Sequence, residues 1–286
     1  MKQESGPVAS ERAVLRLALS EDLGSGDATS LALVPASARA RAVIVAREAG
    51  VVSGLSVARE VFRRISPTLR VTAVVHDGEN VEAGAVVLRL SGSARAILAG
   101  ERTALNFLQR LSGIATLTRS YVEAVQPYPV RILDTRKTTP GLRRFEKAAV
   151  VHGGGTNHRF GLFDRILIKD NHRAFWRTAG REARLADAVR ETRRRYPRLS
   201  VEIEVESESE LLDALEGCPD WVLLDNMTPA QMRRCVQLTA GRAKLEASGG
   251  ITLRTVRRVA STGVDALSVG ALTHSARALD FALDWL

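Results

Sequence analysis

Four short runs decide how this chain folds: Val201-Glu202-Ile203-Glu204-Val205, Trp221-Val222-Leu223-Leu224, Leu245-Glu246-Ala247 and Ala266-Leu267-Ser268-Val269. They recur about every twenty residues, with helical patterns such as residues 229–238 and 253–260 between them. Upstream, Val130-Arg131-Ile132-Leu133 and Ile166-Leu167-Ile168 are of the same kind. Strand–helix alternation at this pitch means a parallel sheet, and right-handed crossovers then leave a doubly wound sheet or a barrel. No Gly-x-Gly-x-x-Gly opens a helix after the first of these strands, so the dinucleotide-binding version has no support.

The first hundred residues have another texture. Residues 10–18 read as an amphipathic helix, while 41–46, 69–75 and 86–90 read as Val/Ile/Leu-rich strands bounded by Gly or Pro. That mixture predicts helices on a mostly antiparallel sheet. Two helices are expected next, one around residues 101–109 and one over 114–125, ending at Pro127-Tyr128-Pro129. The domain boundary is placed among them.

Composition excludes several classes. The chain has 286 residues, enough for roughly two domains. Its 45% hydrophobic and 26% charged content rules out bulk disorder. No apolar run approaches a bilayer span, and the start MKQESGPVASER lacks a secretory core, so a cytoplasmic protein is expected. Cys218 and Cys235, far apart and without a CxxC, argue against a disulfide framework or structural zinc. The net charge of +9 invites a nucleic-acid reading, but the charges are interspersed, as in Arg181-Glu182-Ala183-Arg184. At 5% aromatic content there is no stacking platform either. A small acidic substrate explains the cationic surplus equally well.

Polar residues fall where such a substrate would need them. The strands end in Asp134-Thr135-Arg136-Lys137, Lys169-Asp170-Asn171, Asp225-Asn226, Ser248-Gly249-Gly250 and Gly270-Ala271, while Glu202 and Glu204 share one strand face. In a barrel these C-terminal ends meet on one rim, where barrel enzymes do their chemistry. The glycine turns after the last two strands open the next helices, an arrangement that cradles phosphate. Gly153-Gly154-Gly155-Thr156-Asn157-His158-Arg159, with Arg136, Lys137 and Lys169, assembles cations with few carboxylates nearby in sequence. Such crowding calls for an anion from outside the chain, and the Arg fork suits a carboxylate. Metal ligation by His152 and His158 on this loop is not favoured.

Three stretches make the pattern specific: Leu133-Asp134-Thr135-Arg136-Lys137-Thr138-Thr139-Pro140-Gly141-Leu142-Arg143, the triglycine segment 153–159, and Leu167-Ile168-Lys169-Asp170-Asn171-His172. Together with residues 21–27, 101–106, 112–116, 248–251 and 270–275, the sequence resembles the quinolinate phosphoribosyltransferase (nicotinate-nucleotide pyrophosphorylase, carboxylating) family from about residue 12 onward. The resemblance implies an α/β protein: an N-terminal α+β sandwich followed by an open, incomplete α/β barrel with phosphate-binding loops after the last strands. The expected division is 1–112, 113–274 and a C-terminal helix within 275–286 packing back on the N-terminal domain. It implies a homodimer, with Arg102 lent across the interface, and no organic cofactor. The implied reaction joins quinolinate to phosphoribosyl pyrophosphate with Mg²⁺, giving nicotinate mononucleotide, pyrophosphate and CO2 in de novo NAD biosynthesis.

By the same resemblance, Thr135, Arg136, His158, Arg159 and Lys169 bind substrate with Arg102, and Lys137, Glu204 and Asp225 are catalytic. Glu204 and Asp225 hold Mg²⁺ and the ribose hydroxyls, with Glu202 as the alternative glutamate. Ser248, Gly249, Gly250, Gly270, Ala271 and His274 take phosphate. Ala148 and Val151 stand where the family usually has Tyr and Arg, and Arg173 where Ile is usual. The rival readings are a barrel aldolase using Lys169 as a Schiff-base nucleophile and a repurposed homologue of the molybdate-operon type.

Overall fold

A computed structural model describes residues 7–178 and 184–286. Residues 181–183 of the mixed-charge run, and residues 1–6, lie outside the described residues. In chain order the elements are α1 (Pro7–Leu23), α2 (Ala28–Leu33), β1 (Arg39–Ala46), β2 (Gly50–Val51), α3 (Leu55–Ile65), β3 (Arg70–Ala73), β4 (Asn80–Val81), β5 (Val86–Ser93) and α4 (Ala94–Ala124). Then follow β6 (Arg131–Leu133), α5 (Arg143–His152), β7 (Ile166–Ile168), α6 (Asp170–Thr178), α7 (Leu185–Arg195), β8 (Val201–Val205) and α8 (Glu208–Leu215). The chain closes with β9 (Trp221–Asp225), α9 (Pro229–Thr239), β10 (Lys244–Ser248), α10 (Val256–Ala260), β11 (Ala266–Ser268), α11 (Ala271–His274) and β12 (Phe281–Trp285). Among the described residues no helix is long and apolar enough to cross a membrane.

The chain divides into two compact units, and the division is not sequential. Of the described residues, 7–119, 138–154 and 271–286 form the first; 120–137, 155–178 and 184–270 form the second. The first unit is built on an antiparallel sheet of order β12-β1-β5-β3. Phe62 of α3, Ile44 of β1, Leu88 of β5 and Ile97, Leu105 and Leu108 of α4 are among its largest fully enclosed side chains. At about 1.5–3 kcal/mol each, their burial is the main force holding these elements together.

Two expectations are corrected here. Helices over 101–109 and 114–125 are one continuous helix, α4. Ser112-Gly113 looks like a break but is a packing contact. The Ser112 hydroxyl accepts from the Ser53 N–H (2.9 Å) and donates to the Ser53 carbonyl (3.1 Å). A Cβ on Gly113 would lie 1.9 Å from the Arg277 carbonyl oxygen. Close approach of a second chain segment therefore requires glycine, at a helix cost of about 1 kcal/mol. Likewise, the expected helix within 275–286 is a strand: β12 pairs with β1 from Ala42↔Trp285 to Ala46↔Phe281. The segment Ala-Leu-Asp-Phe-Ala-Leu-Asp suits a helix locally, but the open edge of β1 supplies a full ladder, and tertiary pairing overrides propensity.

The second unit carries all six anticipated strands, every one parallel, in the order β6-β11-β10-β9-β8-β7. Successive strands are neighbours and the first lies beside the last, which is barrel connectivity with one seam left open between β6 and β7. This is the open α/β barrel. Helix starts are set locally: Thr228 and Gln231 form a reciprocal capping box before α9, and Ser207 caps α8. Gly113→Ala should destabilise the protein by about 2 kcal/mol or more, from overpacking against Arg277. Denaturant unfolding of the variant checks this.

Candidate active site

Parallel strands put their C-terminal ends on one side, and there the second unit has a cavity of about 320 Å³. Thr135, Arg136 and Lys137, just past β6, line it together with His158 and Arg159 from the following loop. Lys169, following β7, Ser248, ending β10, and Ser268, ending β11, complete the polar part. Leu167, Leu223 and Glu246 form the rest of the wall. Seven of the anticipated site residues thus share one cavity. Arg102 is exposed on α4, and Ala271 and His274 belong to α11; all three are in the first unit.

Arg136 and Arg159 show the electrostatic strain expected of an anion site. Burial holds the Arg159 guanidinium below its ordinary pKa, and the neighbouring Arg136 charge lowers it further. Arg159 is 9% exposed, and one of its terminal nitrogens donates to the Arg165 carbonyl at 3.3 Å. Two crowded guanidiniums at a cavity wall gain most from a bound carboxylate.

The carboxylates that are scarce around these cations in sequence are supplied by the fold. Three glutamates remote in sequence come together beside them. Glu204 accepts from Lys169 Nζ at 3.2 Å, extending the β7–β8 register by one pair beyond Ile168↔Ile203. Glu202 and Glu246, fully buried, flank the His158 ring: Nε2 lies 3.0 Å from Glu202 and 3.3 Å from Glu246. Arg165 lies 3.4 Å from Glu202, and its guanidinium sits 4.9 Å from the centre of the Trp221 ring. A carboxylate in a barrel interior is tolerated only when paired, and both are. Glu202 and Glu204 therefore divide their roles, Glu202 inside the barrel and Glu204 at the rim beside Lys169.

Burial opposes charge on His158, while the nearby Glu202 and Glu246 carboxylates favour it. Burial raises Glu202, and burial's effect on Glu246 is outweighed by His158, which lowers it. The Arg159 N–H donates to Nδ1 at 2.7 Å, so the shared proton lies on the carboxylate side of the ring. The donor atoms of His158, Glu202 and Glu246 lie within 4.8 Å of one another, as a metal would require. At 3.0 Å the Nε2–Glu202 contact has the length of a hydrogen bond, and the trio forms a hydrogen-bonded set. His152 is elsewhere, its Nδ1 2.8 Å from the Ser53 hydroxyl.

The glycine turn after β10 has a strict geometry. Gly249 has φ of 95°, and a Cβ there would stand 2.1 Å from the Asn226 amide oxygen. Gly250 also has positive φ, so this backbone is open to a ligand without side-chain obstruction. Asp225 ends β9, its carboxylate accepting from the Asn226 side chain at 2.7 Å. Ala148 and Val151, the departures near the triglycine segment, are both exposed on α5. Glu246 and Arg165 were not anticipated. The signal for Glu246 was its position two residues before Ser248, on the same strand face.

Comparisons with known proteins agree with this geometry. The quinolinate phosphoribosyl transferase C-terminal domain matches residues 114–284 and the N-terminal domain matches residues 27–112. A protein of Oryza sativa subsp. japonica, nicotinate-nucleotide pyrophosphorylase (carboxylating), chloroplastic, is 41% identical over 97% of this chain and 78% of its own length. A Bacillus subtilis protein, probable nicotinate-nucleotide pyrophosphorylase (carboxylating), is 41% identical over 92% of this chain and 89% of its own. The solved structure of the nicotinate-nucleotide pyrophosphorylase from Francisella tularensis superposes with a TM-score of 0.91 at 36% identity, covering 100% of this chain and 99% of that one. With both domain families matched along nearly its whole length and a cation-lined cavity at the strand ends, the chain belongs to the quinolinate phosphoribosyltransferase family.

Proposed function

We propose that the protein transfers the phosphoribosyl group of phosphoribosyl pyrophosphate to quinolinate and decarboxylates the product to nicotinate mononucleotide, a step of NAD biosynthesis. The observation that carries this reading is the convergence of Arg136, Lys137, Arg159 and Lys169 on one cavity. Quinolinate brings two adjacent carboxylates, which two of these cations match in charge, and the remaining positive charge suits the phosphates of the second substrate. Arg136 and Arg159 take the carboxylates, and Lys169 orients the ring from the β7 end. Lys137 stands between the ring and the ribosyl carbon.

In the reaction, the pyridine nitrogen attacks ribosyl C1 while the bond from C1 to pyrophosphate breaks. Positive charge that develops at C1 is met by the carboxylates of Glu204 and Asp225 at the rim. The ring nitrogen, now cationic, stabilises the electron pair left at ring C2 when its carboxylate departs as CO2, and a proton takes that place. The protein mainly brings two anions together and offsets their repulsion.

Glu204 and Asp225 present hard oxygen donors, the ligand type Mg²⁺ prefers, and at rim positions that leave room for substrate oxygens and water. They would hold the ion with the ribose hydroxyls, and the ion would neutralise the leaving pyrophosphate. Ser248, Gly249, Gly250 and Gly270 receive phosphate through backbone N–H groups. The proposal includes a homodimer in which Arg102 of a second copy completes quinolinate binding. A Schiff base on Lys169 is not favoured, because its ammonium is engaged by Glu204 and the family is one of phosphoribosyl transfer.

Incubated with quinolinate, phosphoribosyl pyrophosphate and Mg²⁺, the purified protein should release pyrophosphate and CO2 in equal amounts; pyrophosphate release independent of quinolinate would contradict the reading. Arg136→Ala should lower kcat/KM for quinolinate by about 100-fold, or about 3 kcal/mol of transition-state stabilisation. Near-native kcat/KM in that variant would remove Arg136 from the site.

A further inference from the structure

Glu202 and Glu246 have no assigned task in the transfer itself, yet both are fully buried, Glu202 beneath the cavity and Glu246 as part of its wall. Their purpose is visible in what they hold. At the open seam of the barrel, Thr156 takes the place of a strand residue on the free edge of β6. It bridges to Leu133, donates its N–H to the Ile132 carbonyl at 2.8 Å and accepts from the Asp134 N–H at 3.2 Å. Two residues on, the His158 N–H donates to the buried Asp134 carboxylate at 2.8 Å.

The His158 ring then reaches into the barrel interior. Nε2 donates to Glu202 of β8 and lies beside Glu246 of β10, while Nδ1 accepts from the N–H of Arg159. Both ring nitrogens are therefore engaged within the protein. The next side chain is Arg159, a cavity wall. The loop of residues 153–165 lying across an unpaired seam has many orientations open to it, and each of these bonds removes some. A guanidinium must be fixed closely to receive a planar carboxylate, since small misplacements cost large factors in rate.

We infer that Glu202 and Glu246 are positioning residues that grip the His158 ring as a pin through the open side of the barrel, and that this pin aims Arg159 into the cavity. His158 on this account acts through Arg159. What Arg159 receives rests on the proposed function; the pin itself does not.

The test uses the full-length protein, first without ligand. In Glu202→Gln/Glu246→Gln, amide hydrogen exchange at His158 and Arg159 should accelerate by about tenfold or more, while central amides of β8, β9 and β10 keep their native rates. Should the double variant not fold, Glu246→Gln alone gives the same reading. With substrates, KM for quinolinate should rise about tenfold and KM for phosphoribosyl pyrophosphate stay within about threefold of native. His158→Gln, whose amide N–H still reaches the glutamates, should lie closer to native in quinolinate KM than His158→Ala. Unchanged exchange at His158 and Arg159 overturns the pin. Native quinolinate KM in the glutamate variants, with both His158 variants equally impaired, overturns it too and makes His158 a direct ligand. If the native protein turns over no quinolinate but exchange accelerates as stated, the functional reading fails and the pin stands.

Discussion

A carboxylate cut off from water has to be matched by a cation or a donor within a few ångströms, because desolvating an isolated charge costs more than a domain's whole stability margin. Besides Asp134 at the end of β6, the second unit has Glu202 and Glu246 fully buried in the barrel interior, where aliphatic side chains usually stack in layers. Their partners, His158 and Arg165, come from the segments flanking the open seam, so the need to neutralise the interior draws those segments inward. Trp221, with Arg165 and Arg131 against its ring at 4.9 and 5.0 Å, underlies this charged layer.

The layering has a functional consequence. Below, charges are paired within the chain. At the rim, Arg136, Lys137, Arg159 and Lys169 surround a cavity with Glu204 held by Lys169. Positive charge is thus concentrated where the strands end, and the pairing underneath prevents substrate anions from being drawn deeper. An open barrel gives up the hydrogen bonds of a closed ring, and Thr156 restores two of them on β6. The same loop supplies Arg159, so the unclosed seam is also where a site residue is introduced.

Much of this was legible in the residues. The six strands of the second unit stood out because buried parallel strands read as short apolar runs at regular spacing, and the rim residues because packing does not ask for Arg or Lys after Leu-Asp-Thr or Ile-Leu-Ile. Less legible was anything decided by contacts remote in sequence. Glu246 lies inside Leu245-Glu246-Ala247, which reads as core, and only the approach of His158 from another element explains its charge. Gly113 looks like a helix break until the Arg277 carbonyl is seen against it. Residues 281–285 have helical composition, and only the free edge of β1 makes them a strand.

The central claim is that Arg136 and Arg159 at the rim are matched to the two carboxylates of a pyridine dicarboxylate, with Lys137 and Lys169 beside them. Calorimetric titration of the protein with quinolinate and with nicotinate compares a ligand carrying both carboxylates with one lacking the second. Matched cations predict tighter binding of quinolinate by about two orders of magnitude, since nicotinate leaves part of the cationic cluster uncompensated. Equal affinity for the two would contradict the account.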